Sequence, residues 1–227
     1  MRHLLPVSSS TFRAQVVLLA GPSGSGKSTL AARLGWPVLR LDDFYREGTD
    51  PLLPRDAAGV VDWDHPGAWN AEAAVAAITE LAASGRVRAP VYDIATDRCS
   101  GERAITVEGS PLFIAEGLFA DRVVRGCGDA GVLADALVLT PSAALTAARR
   151  FVRDVSEARK PVPVLLRRGF RLWREQPAVV ARCVSAGMRR SRPDVAQQEL
   201  RVLASRESSR GSGKSAEHHL GELAFDR

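Results

Sequence analysis

Gly21-Pro22-Ser23-Gly24-Ser25-Gly26-Lys27-Ser28 fits the pattern G-x-x-x-x-G-K-[ST]. Its glycines let successive backbone N–H groups converge on phosphate oxygens, and a helix opening near Lys27 adds the positive end of its dipole. Lys27 can then reach the β- and γ-phosphates while the Ser28 hydroxyl ligands Mg²⁺. Gly21, Ser23, Gly24, Ser25, Gly26, Lys27, Ser28 and Thr29 are the expected ATP-binding residues. A second run, Gly211-Ser212-Gly213-Lys214-Ser215, has Ser208 where the first glycine belongs and no strand before it, so it is expected to be inert.

A phosphate cradle leaves open what receives the phosphoryl group. Asp42 and Asp43 close a short apolar run, and in open α/β sheets ligands bind at the carboxyl ends of strands. A carboxylate there can accept the proton of an attacking hydroxyl and help to place Mg²⁺. Either aspartate could serve as that base.

These groups need a frame. Gln15–Ala20 is a compact apolar run ended by glycine and reads as a strand covered on both faces; Val38–Leu41, Leu112–Ala115 and Ala136–Leu139 read likewise. Ser28–Leu34 has helical character, and Asn70 can cap an Ala-rich helix that Gly85 ends. Residues 46–69, with Pro51, Pro54, Gly59, Pro66 and Gly67, follow neither period and read as a long loop. Its Trp63, His65 and Trp69 argue against disorder. A segment at Pro90–Tyr92 leads into another loop; Ser142 caps a helix that Pro161 and Pro163 break, and a further helix spans about 164–176. Strands alternating with helices predict a three-layer α/β fold with a mainly parallel sheet flanked by helices. A kinase core over 13–160, a helical extension over 161–205 and a loose tail over 206–227 are expected.

The chain has 227 residues with 31 Lys+Arg against 26 Asp+Glu, a net charge of +5. Hydrophobic residues at 45% and charged residues at 25% exclude a disordered polyelectrolyte and a collagen-like chain. The charge is unevenly placed. Residues 149–192 carry 12 Arg and one Lys against three carboxylates, +10 locally, so the remainder is −5. Cys99, Cys127 and Cys183 are odd in number and in no metal-ligand spacing, which predicts reduced thiols and a cytoplasmic protein. No apolar stretch approaches the ~20 residues of a membrane span. No membrane partner is expected.

Asp42-Asp43-Phe44-Tyr45, Asp62-Trp63-Asp64-His65-Pro66, Pro90-Val91-Tyr92-Asp93, Glu116-Gly117 and Arg149-Arg150-Phe151-Val152-Arg153-Asp154 follow one another in an order that resembles the uridine kinase family of P-loop nucleoside kinases. The resemblance covers about residues 15–160, and the related phosphoribulokinases and pantothenate kinases share the cradle. It implies a P-loop NTPase fold with a helical lid and C-terminal helices, and an enzyme using ATP and Mg²⁺ on a small-molecule hydroxyl, the 5′-hydroxyl of uridine or cytidine. It also implies that Asp42 is the general base, that Asp64 binds ribose hydroxyls, that Tyr45 and Tyr92 line the acceptor pocket, and that Glu116 sits near the metal with Ser28 and Asp42. Arg150 and Arg153 would act with Lys27 on the phosphates, from the lid. Spacing alone puts Arg149 and Arg153 four apart, able to project together from one helix.

Two stretches depart from the family. Asp97 stands where its pattern has a base-recognising His, with Cys99 where a basic residue belongs, and a carboxylate cannot reproduce the hydrogen bonding of a neutral imidazole. The lid reads Glu157-Ala158-Arg159-Lys160 in place of Glu-Arg-Gly-Arg. A modified nucleoside, sugar derivative or pantothenate-like acid therefore stays open as acceptor, as does a regulatory switch that hydrolyses ATP slowly. Nucleic acid is not an expected partner, although Arg167, Arg171 and Arg174 share a helical stripe; a homo-oligomer is compatible with the sequence.

Overall fold

The computed structural model describes residues 12–22, 24–140 and 177–222, with side chains described as far as Ser209. Ser23, the expected lid with Arg149, Arg150 and Arg153, and the expected helix over 164–176 lie outside the described residues.

Strand β1 (Gln15–Ala20) occupies the middle of a five-stranded parallel sheet. The order is β2 (Val38–Arg40), β5 (Leu112–Glu116), β1, β6 (Leu133–Leu139) and β7 (Arg189–Ser191). From Val16 to Ala20 every β1 residue is fully buried, which explains why the run is continuously apolar instead of alternating. Its residues still divide by the strand period. Val16, Leu18 and Ala20 face a core shared with Ala74, Ile78 and Leu81 of α2 (Ala71–Ser84) and Cys127 of α3 (Val124–Asp129). Val17 and Leu19 face Leu30 and Ala31 of α1 (Lys27–Leu34) and Ala196 and Leu200 of α5 (Pro193–Glu222). The fold is thus three-layer α/β. Each fully buried leucine in these layers contributes roughly 1.5–3 kcal/mol.

Both signals bracketing α2 act as read. Asn70 Oδ1 accepts the Ala73 N–H at 3.0 Å, and the Gly85 N–H closes the helix on the Leu81 carbonyl at 3.0 Å. The segment after Tyr92 differs from the expected loop. Strand β3 (Arg86–Asp93) pairs antiparallel with β4 (Arg98–Thr106) in a separate two-stranded sheet packed on α2 and on the 3₁₀ turn Leu41–Phe44. Only Ile105 of β4 is buried, so backbone pairing makes this strand without any apolar alternation in the sequence. The C-terminal region differs too. After α4 (residues 177–185) the chain returns β7 to the sheet edge, and α5 keeps helical backbone through Glu222, over most of the stretch expected to be a loose tail. Pro193 opens α5 at a position where its missing N–H costs nothing. Among the described residues no helix is long and apolar enough to cross a membrane.

Candidate active site

The cradle leaves β1 at Gly21 and enters α1 at Lys27. Gly21 (φ +142°), Gly24 (φ +80°) and Gly26 (φ +96°) all occupy positive-φ backbone, which glycine adopts without a Cβ penalty. A Cβ on Gly21 would stand 2.7 Å from Ser25 Oγ and 3.0 Å from the Leu139 carbonyl, so the loop closes only around a glycine. Ser25 is fully buried in this turn, with its Oγ unpartnered. Lys27 folds back over the loop and donates from Nζ to the Gly21 carbonyl at 2.9 Å. Thr29 is exposed on the first turn of α1.

Sheet register brings the acidic groups to this loop. Glu116 ends β5 opposite Leu19 of β1 and Arg40 of β2, and its Oε1 accepts the Ser28 hydroxyl at 2.8 Å. Gly117 follows. Its missing Cβ would lie 2.7 Å from Leu41 Cβ and 2.8 Å from Asp42 Oδ1, so the chain leaving β5 passes directly over Asp42. The Leu118 N–H donates to Asp42 Oδ1 at 3.1 Å, holding an otherwise exposed carboxylate at the carboxyl edge of the sheet.

Asp43 has a different task. Its side chain is 3% exposed, accepting from Arg103 Nη2 at 3.1 Å and from the Tyr92 N–H at 3.3 Å, with Arg40 Nε at 3.9 Å. Asp43 therefore clamps the β3–β4 hairpin to the turn, while Asp42 points to the open side.

An aromatic wall gathers Tyr45 after the Leu41–Phe44 turn, Trp63 and Trp69 of the 46–69 loop, Tyr92 of the hairpin and Phe119 beyond β5. Tyr45 lies 5.7 Å from Tyr92, 6.0 Å from Trp63 and 6.0 Å from Phe119 between ring centroids. Trp69 Nε1 donates to the Leu41 carbonyl at 2.7 Å, and its ring stacks beside Phe119. Burial, then the Asp42 and Asp64 carboxylates, push the Tyr45 hydroxyl above its ordinary value. The Tyr92 hydroxyl is pushed up to about 12 by burial, then by Asp97 and Glu47. Tyr92 also donates to the Arg46 carbonyl at 3.2 Å. Asp64 is exposed at the rim of this wall. Asp97 turns the hairpin at φ +52°, and its carbonyl accepts the Gly48 N–H at 2.7 Å, fastening the hairpin tip to the loop.

The model of the phosphoribulokinase / uridine kinase family matches residues 16–160. The chain belongs to that family. Among its relatives in the family are a uridine kinase of Macrococcus caseolyticus, 29% identical over 150 residues, and one of Brevibacillus brevis, 30% identical over 148 residues. The matches take in 63% and 61% of this chain and 69% and 65% of theirs. A mouse uridine-cytidine kinase-like protein is 28% identical over 148 residues, covering 61% of this chain and 26% of its own. A candidate fructose transport system kinase from Silicibacter sp. TM1040 shares the fold, with a TM-score of 0.53 at 22% identity over 78% of this chain and 88% of its own. Family membership makes the protein a kinase with a nucleotide-binding P-loop.

Within this family frame the structure brings together Gly21, Gly24, Ser25, Gly26, Lys27, Ser28, Glu116 and Asp42 on one edge, and Tyr45, Tyr92 and Asp64 beside them. Asp97 neighbours Tyr92, but its backbone contact is with Gly48. Sequence reasoning gave no site role to Trp63, Phe119, Arg103 or Arg182. Trp63 sits inside the Asp62–Pro66 motif and could have been found there; Arg103 and Arg182 act across 60 or more residues and leave no local signal. Arg182 and Arg189 also account for part of the basic surplus. They pair with Asp121 at 2.9 Å, and with Asp135 at 2.8 Å and Glu199 at 2.6 Å.

Proposed function

We propose that the protein is an ATP- and Mg²⁺-dependent kinase that phosphorylates the hydroxyl of a small molecule, the 5′-hydroxyl of uridine or cytidine being the best fit. The observation that carries this reading is one continuous run of contacts. Ser28 bonds Glu116, Glu116 leads to Gly117, Gly117 lies over Asp42, Asp42 accepts the Leu118 N–H, and Phe119, next in the chain, packs against Tyr45 of the aromatic wall. A phosphate site and an acceptor site thus meet at one exposed carboxylate.

The residues present suit the expected ligands. The amides of the positive-φ glycine loop, together with Lys27, would hold the triphosphate. Mg²⁺ is commonly bound through one or two protein oxygens plus phosphates, and Ser28 with Glu116 is such a set. The metal when bound neutralises charge on the phosphates. Asp42 has Oδ1 engaged by the Leu118 N–H, leaving Oδ2 to take the proton of the attacking hydroxyl. Tyr45, Trp63 and Tyr92 would stack a planar acceptor, and Asp64 would bind its vicinal hydroxyls. The work of the protein is positioning and charge balance more than covalent chemistry. The family resemblance assigns Arg150 and Arg153, outside the described residues, to the phosphates.

A second reading keeps the kinase and changes the acceptor, and Asp97 favours it. That residue puts a carboxylate beside Tyr92 where the family resemblance has a histidine. The test is an acceptor screen with purified protein and Mg-ATP, reading ADP release and the mass of the product. Phosphorylated uridine or cytidine supports the first reading, and turnover only with a sugar derivative or pantothenate-like acid supports the second. Slow ADP release independent of every acceptor sinks both and leaves a nucleotide switch.

A further inference from the structure

Arg182, on α4, links the C-terminal part of the chain to the Leu118–Asp121 stretch beside the site. Its Nε and Nη2 grip both carboxylate oxygens of Asp121, at 2.9 and 3.2 Å, and Nη2 also donates to the Leu118 carbonyl at 3.2 Å. Its Cζ lies 5.8 Å from the centre of the Phe119 ring. One guanidinium thus holds the whole stretch from Leu118 to Asp121. Leu118 is gripped from both sides, its carbonyl by Arg182 and its N–H by Asp42 Oδ1. Phe119, under the same guanidinium, backs the Tyr45 ring at 6.0 Å.

We infer that Arg182 is a positioning residue for phosphoryl transfer: by fixing the Leu118 peptide and the Phe119 ring, it sets the orientation of the Asp42 carboxylate and the back of the acceptor wall. This rests on the kinase reading for its kinetic consequence, but not for the tether itself. Its hydrogen bonds among the described residues run to Asp121 and the Leu118 carbonyl and its guanidinium lies over Phe119, so it acts on Asp42 and Tyr45 through Leu118 and Phe119. A planar fork can serve Asp121 and the Leu118 carbonyl at once and lie over a ring, which a lysine ammonium does not reproduce. Asp121 is buried with its side chain 3% exposed, and its other cation, Arg122 Nε, stands at 3.6 Å. Removing all charge at position 182 would strand that carboxylate, so R182Q is the riskier variant for folding.

The experiment uses R182K and the double variant R182M/D121L in the full-length chain. R182K keeps a cation beside Asp121 and loses the link to Leu118; the double variant removes the buried pair together. Both are expected to keep the ATP affinity of the parent and to lose kcat for the acceptor by about 10²-fold, the scale of a misplacement near 1 Å. Amide hydrogen exchange in the 117–121 segment is expected to accelerate in both while β1 and α2 stay protected, a local change that general loss of stability would not produce. Parental kcat in R182K, recovery of parental kcat in the double variant, or unchanged exchange at 117–121 would each overturn the inference. If the parent protein phosphorylates nothing, the kinase reading fails by itself, and the exchange measurement still decides whether Arg182 holds the Leu118 peptide.

Discussion

Replacing Gly117 by alanine adds a single methyl group directly over the candidate base. That methyl would start 2.7 Å from Leu41 Cβ and 2.8 Å from Asp42 Oδ1, with the Asp42 amide nitrogen at 3.3 Å. Carbon atoms rest at ~3.5–4.0 Å, so the turn bearing Asp42 and the chain above it must part by about 1 Å. Overpacking of this kind costs about 1–3 kcal/mol of stability. For a chain of this length each kcal/mol lowers Tm by about 2–4 °C, so the protein should remain folded at assay temperature. Catalysis should suffer more. A displacement near 1 Å at a reacting group is worth about 10²-fold in rate, equivalent to ~2.7 kcal/mol of transition-state stabilisation. The assay is acceptor-dependent ADP formation, with ATP binding followed by titration and Tm by scanning calorimetry. Gly128→Ala in α3 serves as the control. Among the described residues no atom outside its own stretch of helix lies within 4 Å of its would-be Cβ, and alanine there should stabilise the helix by about 0.5–1 kcal/mol with kcat unchanged. If Gly117→Ala loses less than about threefold in kcat, under ~0.7 kcal/mol, the placement of Asp42 beneath Gly117 does not govern the chemistry.

The two neighbouring aspartates should separate cleanly. Asp42→Asn is expected to lower kcat by about 10²–10⁴-fold with Tm and ATP binding unchanged, and retained turnover removes Asp42 as the base. Asp43→Ala should instead cost about 1–3 kcal/mol in thermal stability and raise the acceptor KM, because Arg103 and the Tyr92 N–H lose their partner. Glu116→Gln should raise the Mg²⁺ concentration needed for half-maximal activity by roughly 10–100-fold; an unchanged Mg²⁺ titration would dissociate Glu116 from the metal. The chain has two tyrosines, both with hydroxyl pKa values raised by burial, so spectroscopic titration should show little tyrosinate at pH 10 in the native protein and ordinary titration once it is unfolded. Because the folded state favours the neutral phenol, stability is full below pH ~10 and falls as pH rises from about 10 through 12. Tyrosinate appearing near pH 10 in the folded protein would mean an open aromatic wall.

The parts legible in the sequence are those whose signal is local. The cradle is a contiguous motif, β1 and β5 are unbroken apolar runs, and Asn70 and Gly85 mark the ends of α2 by capping chemistry alone. Asp42 and Asp43 were indistinguishable as letters. Burial and the Arg103 contact separate them, and neither property exists before the hairpin folds back. Strand β4 was missed because seven residues from Arg98 to Ala104 are exposed and show no alternation. Strand β7, Arg189–Arg190–Ser191, carries two exposed arginines of the kind that blunt a sheet edge and falls inside the extension expected to be helical; its strand pairing and the ion pairs of Arg189 with Asp135 and Glu199 leave no local signal. Arg182 was counted only as charge; its partners lie 61 and 64 residues earlier, beyond any window of periodicity.

The β3–β4 hairpin shares no strand pairing with the five-stranded sheet. The candidate phosphate site rides on β1, β2 and β5, whereas Tyr92, Trp63 and Trp69 of the candidate acceptor wall stand on the hairpin and the 46–69 loop, joined to the Leu41–Phe44 turn through Asp43 and to each other through Asp97 and Gly48. Such a layout is modular. If the proposed roles hold, mutations that remould the hairpin or the loop should change which molecule is accepted while phosphoryl transfer is retained, provided the Asp43–Arg103 joint survives. Divergence of acceptor preference is thereby cheap for this architecture, and the same joint marks where a hairpin from a relative could be grafted in.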